Sequence, residues 1–85
     1  MYCVYILKTA DNRYYIGSTQ DVAARLQRHR RGEVLFTKNR LPVSLLYQEQ
    51  LPSRASALAR EQQLKGWRNR SALERLISSV DGPIV

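Results

Sequence analysis

Five residues stand out for their chemistry: Tyr5, Tyr15, Arg25, His29 and Glu61. The two tyrosines sit inside the most apolar parts of the stretch VYILKTADNRYYIGS, residues 4–18. A core strand would take Val, Ile or Phe at such positions and have no hydroxyl to satisfy. Either these phenols only pack, or their oxygens are wanted. Glu61 poses a sharper version of the same question. On a helical wheel of about 100° per residue it falls within the stripe of Ala57, Leu58 and Leu64, away from Arg60, Gln62 and Gln63. A carboxylate aimed at a core needs a partner or a metal, because an unpaired buried charge is costly. The plain solution is an ion pair to Lys65, four residues on, or to Arg54. Arg25 and His29 are also four apart and share the inward side of Val22 and Leu26. Together the five make poor core material and a coherent site.

These residues must be positioned by a small set of elements. Tyr2–Lys8 reads as a first strand, apolar on both faces and therefore central and covered. Ala10-Asp11-Asn12 carries turn chemistry, with Asn12 tolerant of positive φ, and Tyr14–Gly17 is the antiparallel return strand. Because side chains alternate faces, Tyr5 and Tyr15 share a face only if the connecting loop is odd. A three-residue loop pairs Tyr5 with Gly17 and sets Tyr15 diagonally beside Tyr5, with room over the ring where Gly17 has no side chain. Ser18 or Thr19 caps a helix over about Asp21–Arg31, with Asp21 in its first turn, and Gly32 ends it. A basic loop runs from Glu33 to Pro42. Val43–Gln50 is a third strand. Ser53 caps a helix over Arg54–Lys65, stopped near Gly66, and Ser71 caps a last one over Ala72–Val80. The order is ββαβαα, an α+β fold with a small three-stranded antiparallel sheet flanked by helices. One domain spans residues 1–80, followed by a short tail, 81–85.

Charge narrows the partner. Eighty-five residues carry 14 Lys and Arg against 7 Asp and Glu, a net charge of +7, and eleven of the basic residues are arginine. Arginine's planar fork matches phosphate oxygens better than a lysine ammonium does. The cations cluster, with Arg25, Arg28, Arg30, Arg31, Lys38 and Arg40 in one group and Arg54, Arg60, Lys65, Arg68, Arg70 and Arg75 in another. A solvated basic surface is the bland alternative; an anionic partner, above all nucleic acid, is favoured for so basic a domain. The basic helices lack bulky exposed apolar residues, which argues against a lipid surface. The single Cys3 excludes an internal disulfide framework and reads as a buried, inert thiol. No cleavable signal or membrane-spanning run is visible, so a reducing cytoplasm and a monomer are the default expectations.

With Tyr5, Tyr15-Ile16-Gly17, Arg25, His29 and Glu61 in this order, the chain resembles the GIY-YIG nuclease domain, in particular small stand-alone bacterial members of that superfamily. The first motif stands as Cys3-Val4-Tyr5 and the second as Tyr15-Ile16-Gly17. RLQRH supplies Arg25 and His29, and AREQQLKGW supplies Glu61. Cys3 replaces the opening glycine of the family. The asparagine that many members place beyond the glutamate has its nearest counterpart in Asn69.

The resemblance implies hydrolysis of a phosphodiester, with DNA preferred over RNA, using one divalent metal, Mg²⁺ or Mn²⁺, at Glu61, and a place in repair or recombination. Glu61 as the lone carboxylate suits one hard cation whose other ligands are water and phosphate. Arg25 would face the phosphate as charge builds. Tyr5, Tyr15 and His29 are all candidates to orient or deprotonate the attacking water. Arg28, Lys38, Arg40, Lys65 and Arg68 are expected to hold the strand backbone without reading its sequence. Trp67 and Phe36 fill core or edge space in preference to stacking on bases, and Tyr2, Tyr14 and Tyr47 pack. The alternatives are a nucleic-acid-binding module of the same fold without catalysis, and a domain whose basic face meets an acidic protein.

Overall fold

β1 (Tyr2–Lys8) is the middle strand of a three-stranded antiparallel sheet in the computed structural model, which describes residues 1–67 and 69–79. β2 (Tyr14–Thr19) pairs on one side of it and β3 (Ser44–Leu51) on the other, in the order β2-β1-β3. The apolar character of β1 on both faces follows from this central place: Val4, Tyr5, Ile6 and Leu7 are all buried. Its even and odd residues feed two separate cores. Val4 and Ile6 join Ile16, Tyr47, Ala57, Leu64 and Leu73. Tyr5 and Leu7 join Val43, with Val22, Leu26 and Tyr15 packed against them.

The hairpin register is the odd one. Tyr5 pairs with Gly17 and Lys8 with Tyr14, and the Thr9 amide donates to the Arg13 carbonyl at 2.8 Å. Ala10-Asp11-Asn12 is therefore a three-residue loop, and Asn12 takes the left-handed conformation at φ 68° that such a loop requires. The β1–β3 register shifts by one between Ile6 and Leu7, which pair with Tyr47 and Leu45. Tyr47 thereby faces the first core and Leu45 the second.

Three helices cover the sheet. α1 (Val22–Arg30) lies on the Tyr5 face, and α2 (Arg54–Lys65) and α3 (Arg70–Ser78) on the other. Ser53 caps α2 with a capping box closed by Ser56, and Gly32, at φ 76°, follows the end of α1.

Several expectations need correction. The cap of α1 is Asp21, whose side chain accepts from the Ala24 amide, so neither Ser18 nor Thr19 caps it and the first turn holds no acid. β2 runs on to Thr19 and holds both of those residues in the sheet, which is why they are unavailable. α3 begins at Arg70, two residues earlier than Ala72, because the Asn69 side chain accepts from the Ser71 amide and takes the capping role expected of Ser71. Val80 and the tail, 81–85, lie outside the described residues. β3 is offset by one residue, Ser44–Leu51. Cys3 is half-buried, not buried, and Leu58 is exposed, so the inward stripe of α2 rests on Ala57 and Leu64.

Candidate active site

β1 and β2 bring the two phenols together. Tyr5 and Tyr15 share a face, with ring centroids 6.2 Å apart and planes tilted by 35°. Gly17 makes this possible: a Cβ there would lie 2.7 Å from the Tyr5 hydroxyl and 3.1 Å from the Tyr15 ring. α1 lays His29 and Arg25 over the pair, as their spacing and the inward stripe of Val22 and Leu26 demand.

His29 is fully buried, in keeping with its place on the inward side of α1, and each ring nitrogen has a partner. Nε2 lies 3.1 Å from the Tyr5 hydroxyl and Nδ1 2.8 Å from the hydroxyl of Thr37. The Thr37 hydroxyl points its own proton to the Val34 carbonyl at 3.5 Å. With its proton there it accepts from Nδ1–H, and Nε2 is then the acceptor for Tyr5 O–H. Burial, then the charges of Arg25 and Arg28, push the His29 pKa down and keep the ring neutral at physiological pH. Burial and the neighbouring Tyr15 push Tyr5 up to about 12, despite Arg25. Tyr5 is thus a phenol, not a phenolate, at neutral pH.

Arg25 is half-buried, within polar reach of the Tyr5 and Tyr15 hydroxyls, and its pKa is raised, chiefly by Tyr5. Its Nε is buried and has no hydrogen-bond partner among the described residues. Such a group normally has one, and a water or an anion oxygen would supply it.

Glu61 approaches from the other side. Tyr15 and Gly17 alternate with Ile16 and Ser18 along β2, and the Ser18 hydroxyl donates to Glu61 Oε1 at 2.7 Å. Lys65 holds Oε2 in an ion pair at 2.5 Å, which is the i,i+4 partner the sequence offered. Burial pushes the Glu61 pKa up, but Lys65, Ser18 and the charge of Arg25 outweigh it and the net shift is downward. The carboxylate is thus ionised and lies within the field of Arg25, across the edge strand from the phenols. One acid with a hydroxyl beside it fits a hard divalent ion that keeps most of its ligands as water or phosphate, provided that Lys65 leaves Oε2. Among the described residues no group of three His, Cys, Asp or Glu side chains could hold a metal, so Glu61 alone would be the charged ligand.

The other expected cations are more committed than the sequence suggested. Arg28 reaches Glu33 at 3.5 Å, and Arg40 reaches Asp11 at 3.2 Å and the Phe36 carbonyl at 2.6 Å. Lys65 serves Glu61, whereas Lys38 is exposed and makes no ion pair among the described residues. Arg68 lies outside the described residues. Tyr47 is core, with Tyr2 and Tyr14 packed against the same cluster, as expected. Asn69 serves as a helix cap and so does not support Glu61.

Two participants escaped sequence reasoning. Thr37 is fully buried in a loop read only as basic, where no periodicity marks an inward residue. Ser18 was expected to cap a helix; its alternation with Gly17 on β2 was the signal for its facing α2.

A model of the GIY-YIG catalytic domain matches residues 1–75. The chain is similar to the UPF0213 proteins of Staphylococcus aureus strains Mu3 and N315, at 43% identity over 75 residues covering 87% of this chain and 90% of each relative. The solution NMR structure of a UPF0213 protein from Bacillus halodurans superposes with a TM-score of 0.62 at 34% identity, covering 98% of this chain and 89% of that one. This chain's three-stranded sheet with three helices in ββαβαα order matches that UPF0213 fold. Since the matched span reaches from the first strand into α3, the chain belongs to the GIY-YIG family.

Proposed function

We propose that this protein is a metal-dependent endonuclease that hydrolyses DNA phosphodiester bonds. GIY-YIG is a nuclease family, and the observation that carries the proposal here is the unpartnered Nε of Arg25 beside two phenols and within the field of Glu61. A phosphate oxygen supplies the missing acceptor, and the guanidinium then stabilises the charge that builds on the reacting phosphate.

Tyr15, Tyr5 and His29 together would give the attacking water a route for its proton. Tyr15, the more exposed phenol, meets the water; Tyr5, 1% exposed, stands behind it. The water proton passes to the Tyr15 oxygen, that of Tyr15 to Tyr5, and that of Tyr5 to Nε2 of neutral His29. His29 is sealed from solvent and acts only through Tyr5. Glu61, with the Ser18 hydroxyl beside it, would hold one Mg²⁺ or Mn²⁺ ion, which when bound polarises the phosphate and stabilises the leaving oxygen. Lys65, 46% exposed, is free to swing from Glu61 to the strand backbone. Arg28, Lys38, Arg40 and Arg68 are proposed as further backbone contacts, with affinity that falls steeply with salt.

The test is cleavage of labelled single-stranded, duplex and branched DNA with Mg²⁺ or Mn²⁺, comparing wild type with Glu61→Gln. The substitution abolishes turnover and leaves DNA affinity near wild type. Equal cutting by the variant would remove Glu61 from the mechanism. The second reading, a binding module without catalysis, is favoured by one observation, the closed Glu61–Lys65 ion pair; DNA bound by wild type but never cut would establish it.

A further inference from the structure

A cleft of about 390 Å³ opens along the β2 edge, next to the candidate site, and the proposed chemistry leaves it unused. Tyr14, Tyr15, Phe36, Trp67 and Lys65 line it. Tyr15 and Lys65 belong to the site itself, so the cleft adjoins it. Its size lies in the range of about 300–1,000 Å³ typical of small-ligand sites, ample for one nucleotide.

Rings and aliphatic side chains form the walls, Lys65 lines the cleft as a cation, and three arginines lie against its rings. Phe36 is 39% exposed despite its size and stands 5.7 Å from the Tyr15 ring at a tilt of 41°. Arg40 lies 4.6 Å from the Phe36 centroid, Arg70 4.1 Å from that of Tyr14, and Arg60 5.9 Å from that of Trp67. Tyr14 and Trp67 are backed by the core, which makes them rigid surfaces. An exposed phenylalanine beside a groove bordered by arginines is poor packing, and a purely apolar ligand would leave Lys65 unmatched. Aromatic faces interleaved with cations match a base flanked by phosphates.

We infer that this cleft takes one unstacked nucleobase of the substrate strand, stacked against Phe36 beside the reacting phosphate. The inference rests on the nuclease reading for its substrate, but its test needs no cleavage. The Glu61→Gln protein is titrated with a short single-stranded oligothymidylate and with versions carrying one abasic residue at successive positions. Affinity is read by anisotropy, and occupancy of the cleft by the fluorescence of Trp67, the single tryptophan.

One abasic position weakens binding about tenfold, and the others change it little. Phe36→Leu in the same protein weakens the intact strand by a similar factor and makes that abasic position silent, because both changes remove one contact. Trp67 fluorescence is quenched by the intact strand. A flat abasic scan, or losses that multiply independently, would overturn the cleft assignment while leaving nucleic-acid binding intact. No binding of any oligonucleotide would instead overturn the nuclease reading beneath it. Quenching of Trp67 by an acidic peptide as strong as that by the oligonucleotide would assign the cleft to a protein partner.

Discussion

Gly17 lies against the Tyr5 side chain so closely that a Cβ on it would stand 2.7 Å from the phenol oxygen and 2.8 Å from Cζ. Tyr5 cannot swing clear, because it is buried and its hydroxyl meets His29. Gly17→Ala should therefore displace the phenol, costing about 1–3 kcal/mol of stability by overpacking and most of the activity. Urea unfolding and cleavage assays measure the two effects; a variant normal in both would show that the close approach has no consequence.

Arg25 should matter to rate in a way that a core tyrosine does not. Under the proposed function, Arg25→Ala would remove the guanidinium assigned to the developing charge and is expected to slow cleavage by about 10²-fold or more. Tyr47→Phe, on the other side of the sheet, should stay within roughly threefold of wild type, the scale of a mild core substitution. Equal losses would mean that Arg25 contributes only to folding.

Thr37 positions His29 without touching the substrate. Thr37→Val keeps the shape but leaves the Nδ1–H without an acceptor, which costs about 1–3 kcal/mol and frees the ring to exchange its tautomer. The acid limb of the pH–rate profile should move, and Thr37→Ser should restore it. A purely structural Thr37 would lower stability in the Val variant with the profile unmoved.

Acid should weaken the fold through His29. Its pKa in the folded protein is below the ordinary 6.5, so as pH falls through 6.5 the unfolded chain takes up the proton first. The unfolded state then binds more protons, and stability drops. Thermal unfolding should show Tm falling below about pH 6.5 in wild type, and a flatter curve over that window in His29→Gln. A wild-type Tm constant from pH 7 to below 6 would contradict the buried neutral ring.

By itself the chain determined what is local. Alternation in Tyr2–Lys8, the turn residues Ala10-Asp11-Asn12 and the odd loop they form place Tyr5 opposite Gly17, because a strand has only two faces and one residue of slip exchanges them. The span of α2, with Ser53 and Gly66 at its ends, was likewise legible, since capping is a contact between near neighbours. Caps at the ends of α1 and α3 were misread where several polar residues competed and strand pairing or backbone entry decided among them. Only the tertiary structure decided what Glu61 touches, that Thr37 is buried on His29, and that Phe36 stands exposed beside Tyr15. Those contacts join residues separated by loops or by the thickness of the sheet, and no periodicity of the sequence encodes a distance of that kind.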